Sequence, residues 1–148
     1  MSDRTFVDTN VLAYLFDDGE PEKQEIARQR LEDEHDAREL VVSTQVLQEL
    51  YVCLTKGRDP VATPALAREA VRNAAKLTVL QVDAPLIFEA IDESRRNRIS
   101  FWDALIVRAA VSGGCSRLLS EDLNDGQAFG AIVIENPFAV GKTKARKK

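Results

Sequence analysis

The sequence contains one histidine and two cysteines, which limits the kinds of site it can build. His35 lies in the charged run Glu32 to Asp36, which we expect to be a solvated loop. A Ser/His/Asp triad and a His-rich zinc site therefore have no histidine to use. Cys53 and Cys115 are far apart and show no metal-ligand spacing, so we expect both to be free thiols in a reducing compartment.

Long apolar runs and glycine-rich phosphate loops are also missing. No apolar run approaches the ~20 residues that a membrane-spanning helix needs, and the N-terminus lacks the basic and apolar regions of a signal peptide. We therefore expect a cytoplasmic protein without membrane contact. The chain has no G-x-G-x-x-G or G-x-x-x-x-G-K-[ST] turn, which argues against a dinucleotide or P-loop site, because neither phosphate cradle forms without its glycines.

The net charge of −4 conceals a basic end, because residues 141–148 hold five Lys or Arg and no acid. Removing those five positive charges leaves −9 on residues 1–140. We expect residues 1–140 to form a single domain and residues 141–148 to be a disordered tail, although such a tail can attract phosphates. An acidic domain repels nucleic acid unless cations or a local basic patch intervene.

Apolar periodicity predicts strands that alternate with helices. The predicted strands lie at residues 6–7, 40–43, 77–82, 117–120 and 131–134, and the predicted helices at 10–16, 22–34, 45–56, 64–74, 84–94 and 101–112. This alternation is typical of an α/β protein with a central, mainly parallel sheet. We therefore predict a three-layer α/β/α architecture.

An acidic residue follows the first predicted strand. Phe6 and Val7 suit a buried strand, and Asp8 stands where that strand gives way to the helix at 10–16. In an open α/β sheet this is the carboxyl edge, where ligands bind. The alternative is that Asp8 only caps the helix by accepting a backbone hydrogen bond.

Two more acids occupy early positions in helices. Glu49 lies in the helix after the second strand, among mostly apolar neighbours, and Asp103 follows Phe101 and Trp102 at the start of a later helix. Glu49 can also be explained as an ordinary solvent-facing side chain. Asp103 can be explained as part of a capping box with Ser100, although a box does not account for the large apolar groups around it.

A fourth acid, Asp122, follows the fourth strand, where Glu121 and Asp125 compete with it for the same role. Strand ends in a parallel sheet reach one edge, so Asp8 and Asp122 can meet there with the acids of the two helices. Carboxylates gathered without basic partners repel one another and take up protons. Divalent cations relieve that repulsion, and Mg²⁺ needs only a few carboxylates because it keeps waters and substrate phosphates as its other ligands.

The residues around these acids form four motifs in a fixed order along the chain. They are Val7-Asp8-Thr9-Asn10, Glu49 after the second strand, Phe101-Trp102-Asp103-Ala104 and Ser120-Glu121-Asp122-Leu123. Together they resemble the PIN-domain family, most closely its VapC-type ribonuclease toxins, over about Thr5 to Phe138. The resemblance implies an acidic metal site of Asp8, Glu49, Asp103 and Asp122, supported by Asn10 and Ser120, with Asp125 as a less certain fifth acid.

The resemblance also implies a function. A protein of this kind would be a Mg²⁺- or Mn²⁺-dependent endoribonuclease that hydrolyses RNA with a metal-activated water. It would be restrained by a cognate antitoxin protein. The apolar excess of the helices at 45–56 and 84–94 further suggests a homodimer, with packing inside one chain as the alternative.

Other functions remain open on the sequence alone. The chain could be a non-catalytic RNA- or protein-binding module of the same fold, or a 5′-nuclease-like enzyme that acts on DNA. A phospho-acceptor receiver domain also uses an acidic pocket at this sheet edge. That class needs a lysine after a late strand, and no lysine lies between Lys76 and Lys142.

Overall fold

A computed structural model describes residues 3–139 of the chain, so the predicted tail at 141–148 lies outside the described residues. The strands are β1 (Arg4–Val7), β2 (Glu39–Ser43), β3 (Thr78–Leu80), β4 (Arg117–Leu119), β5 (Ala128–Phe129) and β6 (Ile132–Glu135). The α-helices are α1 (Thr9–Ala13), α2 (Pro21–Ala37), α3 (Thr44–Thr55), α4 (Pro64–Ala74), α5 (Ala84–Asn97) and α6 (Phe101–Ser112). Short 3-10 turns follow α1 at Tyr14–Phe16 and β6 at Pro137–Ala139.

The six strands form one sheet in the order β3-β2-β1-β4-β6-β5. All neighbouring strands pair in parallel except β5, which is antiparallel to β6. The predicted three-layer fold with a mainly parallel sheet is confirmed. The sequence prediction missed β5, because a strand of two residues carries no measurable alternation of apolar and polar side chains.

The central strands are apolar because helices cover both faces of the sheet. Phe6, Val41, Val42, Leu118 and Leu119 are fully buried. Burial of each such side chain contributes roughly 1.5–3 kcal/mol to the free energy of folding, so these residues hold the central strands in place between the helices. Within residues 3–139, no helix is both long and apolar enough to cross a membrane.

Side-chain caps begin three helices at the carboxyl edge of the sheet. The Asp8 carboxylate accepts from the backbone N–H of Thr9 at the start of α1, and Ser43 accepts from that of Val46 in α3. Ser100 accepts from the backbone N–H of Asp103 in α6. These caps direct the first turns of α1, α3 and α6 towards one place.

The expectation of a solvated loop at residues 32–36 is wrong, because α2 continues through this run to Ala37. Ion pairs four residues apart support the helix there, with Arg30 and Arg38 both contacting Glu34. Glu34 is consequently buried, while His35 remains exposed. His35 therefore stays outside any catalytic arrangement.

Candidate active site

The candidate site lies where the chain order in the sheet reverses. The chain runs from β1 to β2 and β3 on one side, and places β4 and β6 on the other. Asp8 directly follows β1, and its backbone N–H donates to the Leu119 carbonyl at the end of β4, 3.0 Å away. Ligands of open α/β sheets bind at such a switch point, outside the carboxyl ends of the strands.

Asp8 is the most enclosed of the four predicted acids, with 4% of its surface exposed. Oδ1 accepts from the backbone N–H of Thr9 at 2.7 Å, and Oδ2 accepts from the Ser120 hydroxyl at 2.8 Å and more weakly from the Asn10 amide at 3.4 Å. Burial, with a smaller contribution from the negative charges of Asp122 and Glu49, raises the pKa of Asp8 to about 7, although the hydrogen bonds from Ser120 and Thr9 lower it.

Asn10 joins Asp8 to Asp122. Its side-chain amide donates to Asp122 Oδ2 at 3.1 Å, while its Oδ1 accepts from the backbone N–H of Glu121 at 3.0 Å. The Ser120 hydroxyl, already bound to Asp8, accepts from the backbone N–H of Asp122 at 3.1 Å. Asn10 and Ser120 therefore hold the loop after β4 against the start of α1, as polar supports of the two carboxylates.

Glu49 reaches the site from the second turn of α3. Its Oε1 accepts from the Thr9 hydroxyl at 2.9 Å, and its Oε2 accepts from the Gln45 amide at 3.0 Å. Gln45 Nε2 also lies 3.2 Å from the carbonyl of Trp102, one residue before Asp103. Gln45 thus links the helices that carry Glu49 and Asp103.

Sequence reasoning did not assign a role to Thr9 or Gln45. The i,i+4 spacing of Gln45 and Glu49 was the available signal, because such residues share one face of a helix. That spacing did not indicate that the Gln45 side chain is buried. The side chain is buried, and its Oε1 has no hydrogen-bond partner.

Asp103 lies in the first turn of α6 and is half-buried. The predicted Ser100 cap is present, with the Asp103 N–H 3.0 Å from the Ser100 hydroxyl oxygen. Burial raises the pKa of Asp103, the Ser100 hydrogen bond lowers it, and the charges of Asp122 and Glu49 raise it again. Asp103 is therefore electrostatically coupled to two acids that lie far from it in sequence, beyond its place in the cap.

The two competing acids near Asp122 have other contacts. Glu121 accepts from the Tyr14 hydroxyl at 2.8 Å and forms an ion pair with Lys23 at 2.5 Å. Asp125 Oδ1 accepts from the backbone N–H of Asn136 at 2.8 Å, which ties the loop before β5 to the residue after β6. These contacts favour Asp122 over Glu121 as the acid of this loop that serves the site.

The four carboxylates share one electrostatic feature. Within residues 3–139, none of them forms an ion pair with a Lys or Arg side chain. The hydrogen bonds that they accept from the described residues come from neutral groups, so no cationic side chain of residues 3–139 offsets their mutual repulsion. The donor set of hard carboxylate oxygens fits a divalent cation such as Mg²⁺ or Mn²⁺.

In the part of the chain that the structure describes, no group of three or more Asp, Glu, His or Cys side chains is arranged to hold a metal ion. Mg²⁺ typically takes one or two carboxylates from a protein and completes its shell with waters and substrate phosphates. A cavity of about 470 Å³ opens beside the acids, with Thr9, Asn10, Glu49 and Asp122 in its lining.

Solved structures with the same fold are components of toxin–antitoxin systems. A chain of the Rickettsia felis VapBC2 complex, bound to a promoter DNA fragment, is 17% identical and matches with a TM-score of 0.65 over 90% of this chain and 98% of that chain. The sarcin–ricin-loop-cleaving toxin VapC20 of Mycobacterium tuberculosis is 24% identical and matches with a TM-score of 0.62 over 80% of this chain and 91% of that chain. A Klebsiella pneumoniae toxin–antitoxin complex gives 18% identity and a TM-score of 0.66 over 90% and 97%.

At these identities the likeness is one of fold. No curated protein sequence is similar enough to count as a match. The model of the PIN domain family, by contrast, matches residues 5–125, which include β1, the helices α1 to α6 and the loop after β4. The match thus includes all four acids at the switch point, and the chain belongs to the PIN domain family.

Proposed function

We propose that the protein is a metal-dependent endoribonuclease, the toxin of a type II toxin–antitoxin pair, with residues 1–140 as its single nuclease domain. The observation that carries the proposal is the gathering of four carboxylates at the switch point of the sheet, where no Lys or Arg of the described chain forms an ion pair with them. Like charges brought together cost free energy, and a site that keeps them in place is typical of catalysis with metal ions.

Asp8 and Asp103 would be the principal ligands of Mg²⁺ or Mn²⁺, with Glu49 and Asp122 completing the site directly or through water. A bound ion supplies a water of lowered pKa and offsets negative charge that develops on the phosphodiester during attack. The elevated pKa of Asp8, about 7, agrees with this role, because a nearby cation favours the ionised carboxylate that burial and its neighbours disfavour.

The chain's own polar residues orient these acids. Ser120 and the Thr9 N–H hold both oxygens of Asp8, and Asn10 keeps Asp122 beside it. Gln45 and the Thr9 hydroxyl fix the two oxygens of Glu49. The carboxylates are therefore held in place before substrate arrives, which reduces the reorganisation needed during the reaction.

The substrate would be RNA. The fold is shared with a toxin that cleaves the sarcin–ricin loop, which supports RNA over DNA. Divalent cations at the four acids would also reduce the repulsion between RNA phosphates and the −9 charge of residues 1–140.

The proposed partner is an antitoxin whose basic segment lies across the acidic site. Structures of the same fold come from VapBC and toxin–antitoxin complexes, which supports such a partner. An Arg or Lys inserted among the four acids would neutralise the same charge as the metal. Inhibition by the cognate antitoxin should therefore weaken as the concentration of Mg²⁺ or Mn²⁺ rises. Equal inhibition at every metal concentration would contradict this mode of binding.

We further propose a homodimer that involves α3 and α5. Both helices expose large apolar side chains, including Tyr51, Phe88 and Ile91. Exposed large apolar side chains are common at interfaces between subunits. Light scattering should give twice the monomer mass, and Phe88→Asp should shift it towards the monomer. A monomeric wild-type protein at micromolar concentration would contradict the dimer.

The activity is tested with matched RNA and DNA oligonucleotides, incubated with Mn²⁺, Mg²⁺ or a chelator. Wild-type protein should cut RNA only when metal is present, and Asp8→Asn, purified in parallel, should not. The variant also controls for contaminating ribonucleases, which would appear in both preparations. Folded wild-type protein that cuts nothing with Mn²⁺ would favour a binding module, and cleavage of DNA alone would favour a 5′-nuclease-like enzyme.

A further inference from the structure

One face of α3 extends the acidic site into a groove. Gln48, Glu49, Val52 and Cys53 line the cavity of about 470 Å³, and Lys56 lines it at the C-terminal end of the helix. The spacing of these residues is that of one helical face. Glu49 and Lys56 are seven residues apart, which corresponds to about 10 Å along a helix. The groove therefore has a carboxylate end and a cationic end.

Lys56 lacks the carboxylate partner that most Lys and Arg side chains of the described structure have. Lys23, Arg30 and Arg108, for example, each contact a carboxylate. Within residues 3–139, Lys56 forms no ion pair and no side-chain hydrogen bond, and its side chain is exposed. Among the residues that the structure describes, it is the one Lys or Arg that lines the cavity beside Glu49 and Asp122. Its charge is thus available to a ligand in the groove.

A structural role has to be considered first. Lys56 is the C-cap residue of α3, where a positive charge interacts favourably with the helix dipole. That role explains a cation at the end of the helix, but it does not require the cation to lie in the same groove as the acids. The two roles make different predictions for nucleic-acid binding, because a dipole interaction does not depend on RNA.

We propose that Lys56 binds a backbone phosphate of the RNA strand beside the phosphodiester that is cut, and so directs the strand along α3. This proposal rests on the proposed ribonuclease function. The carboxylate end, with its divalent cation, receives the reacting phosphate, and Lys56 receives a neighbouring one. Lys56 is a positioning residue, because it contacts the substrate backbone away from the reacting atoms.

The test measures binding of a fluorescent oligouridylate by fluorescence anisotropy, in Mg²⁺ and over a series of salt concentrations. The protein carries Asp8→Asn so that the RNA stays intact. Adding Lys56→Gln should weaken binding about 3- to 10-fold, as for loss of one exposed ionic contact. It should also reduce the slope of log K against log salt by about 0.7, the value for one phosphate contact on a single strand.

Two variants serve as controls. Lys76→Gln makes the same change of charge at an exposed lysine just before β3. Lys76 lies at the amino ends of the strands, away from the acids, so this variant should leave the slope unchanged. Lys56→Arg keeps the charge and should keep the slope. The proposal would be overturned if Lys56→Gln left the slope unchanged, or if the parent protein did not bind RNA at low salt. A loss of thermal stability without a change of slope would also overturn it, and would show that Lys56 only interacts with the dipole of α3.

Cleavage kinetics separate this proposal from the function on which it rests. In the active protein, Lys56→Gln should raise KM about 3- to 10-fold and leave kcat nearly unchanged, because uniform substrate binding is lost. Active wild-type protein with no change of KM in the variant would overturn the role of Lys56 and leave the ribonuclease in place. A protein that never cuts RNA but loses the salt slope with Lys56→Gln would refute the ribonuclease and retain the phosphate contact.

Discussion

Two buried carboxylates near β1 have opposite surroundings. Asp8 and Glu34 are each 4% exposed. Glu34 accepts from the Thr5 hydroxyl at 2.8 Å and forms ion pairs with Arg30 at 2.8 Å and Arg38 at 3.2 Å. From the described residues, Asp8 accepts hydrogen bonds of neutral groups only, and neighbouring acids repel it. Two equally buried acids thus differ in the charge of their partners, and this difference makes Asp8 the candidate functional acid.

The ion-pair cluster around Glu34 extends across the fold. Arg30 also contacts Glu135 at the end of β6, and Arg117 in β4 contacts the same carboxylate at 3.3 Å. These contacts tie α2 to β4 and β6. The unpaired cluster of Asp8, Glu49, Asp103 and Asp122 makes no comparable ion pair within residues 3–139, so its negative charge is available to a bound cation.

The largest contrast should appear when each buried acid is neutralised. Asp8→Asn should lower the rate of RNA cleavage roughly 1,000-fold or more, since it removes a carboxylate at the reacting centre. Glu34→Gln should leave the rate of the folded protein within a few-fold but lower the free energy of unfolding by about 1–3 kcal/mol, because Arg30 and Arg38 each lose one ion pair. Cleavage assays and urea melts measure both effects, and a fully active Asp8→Asn would remove the assigned site.

The pH dependence of stability should differ in sign from that of an ion-paired acid. The pKa of Asp8 is raised from 3.8 to about 7 in the fold, so its favourable contribution is complete below about pH 3.8 and is lost as the pH rises through 7. In chelator, Asp8→Asn should therefore gain stability relative to wild type between pH 4 and pH 8, by about 2–4 kcal/mol at most.

Urea melts at several pH values measure this difference. The exposed Asp36→Asn, near the end of α2, serves as the control for loss of one charge. A difference between wild type and Asp8→Asn that stays constant from pH 4 to pH 8 would show that burial does not hold a proton on Asp8.

Gln45 should matter for catalysis more than for stability. Gln45→Ala removes the hydrogen bonds to Glu49 and to the Trp102 carbonyl, so we expect a loss of about 10- to 100-fold in cleavage rate or metal affinity, as for other partners of metal ligands. Gln24→Ala is the matched control, because Gln24 also donates two hydrogen bonds, to Leu15 and Asp18, away from the acids. Equal activity of the two variants would show that Gln45 contributes to packing and does not position Glu49 for catalysis.

The smallest effect should arise where a paired acid adjoins an unpaired one. Tyr14→Phe removes one hydrogen bond to Glu121, but the ion pair with Lys23 remains. We expect a loss of about 0.5–1.5 kcal/mol in stability and a change in cleavage rate of only a few-fold. A loss as large as that of Gln45→Ala, measured in the same assay, would mean that Tyr14 controls the position of Asp122.

The convergence of three candidate acids was predictable because each stands at a boundary that the sequence marks. Asp8 and Asp122 follow apolar strands, and Asp103 follows a capping serine, so the parallel fold brings them to one edge. Helical spacing offered Arg30 and Arg38 as partners of Glu34, four residues away on either side. It could not reveal contacts between distant segments, such as that of Glu121 with Lys23 across 98 residues. The buried position of Gln45 was likewise hidden, because it depends on how α3 packs against α6.

The most direct test of the contrast between the two clusters is the change in melting temperature on adding Mg²⁺. A ligand that binds only the folded state raises the melting temperature according to its affinity. Mg²⁺ should stabilise wild type and Glu34→Gln by the same amount, and Asp103→Asn clearly less, because only the last loses a carboxylate of the unpaired cluster. Equal shifts in all three proteins, or a shift lost only in Glu34→Gln, would contradict the assignment of the metal site to Asp8, Glu49, Asp103 and Asp122.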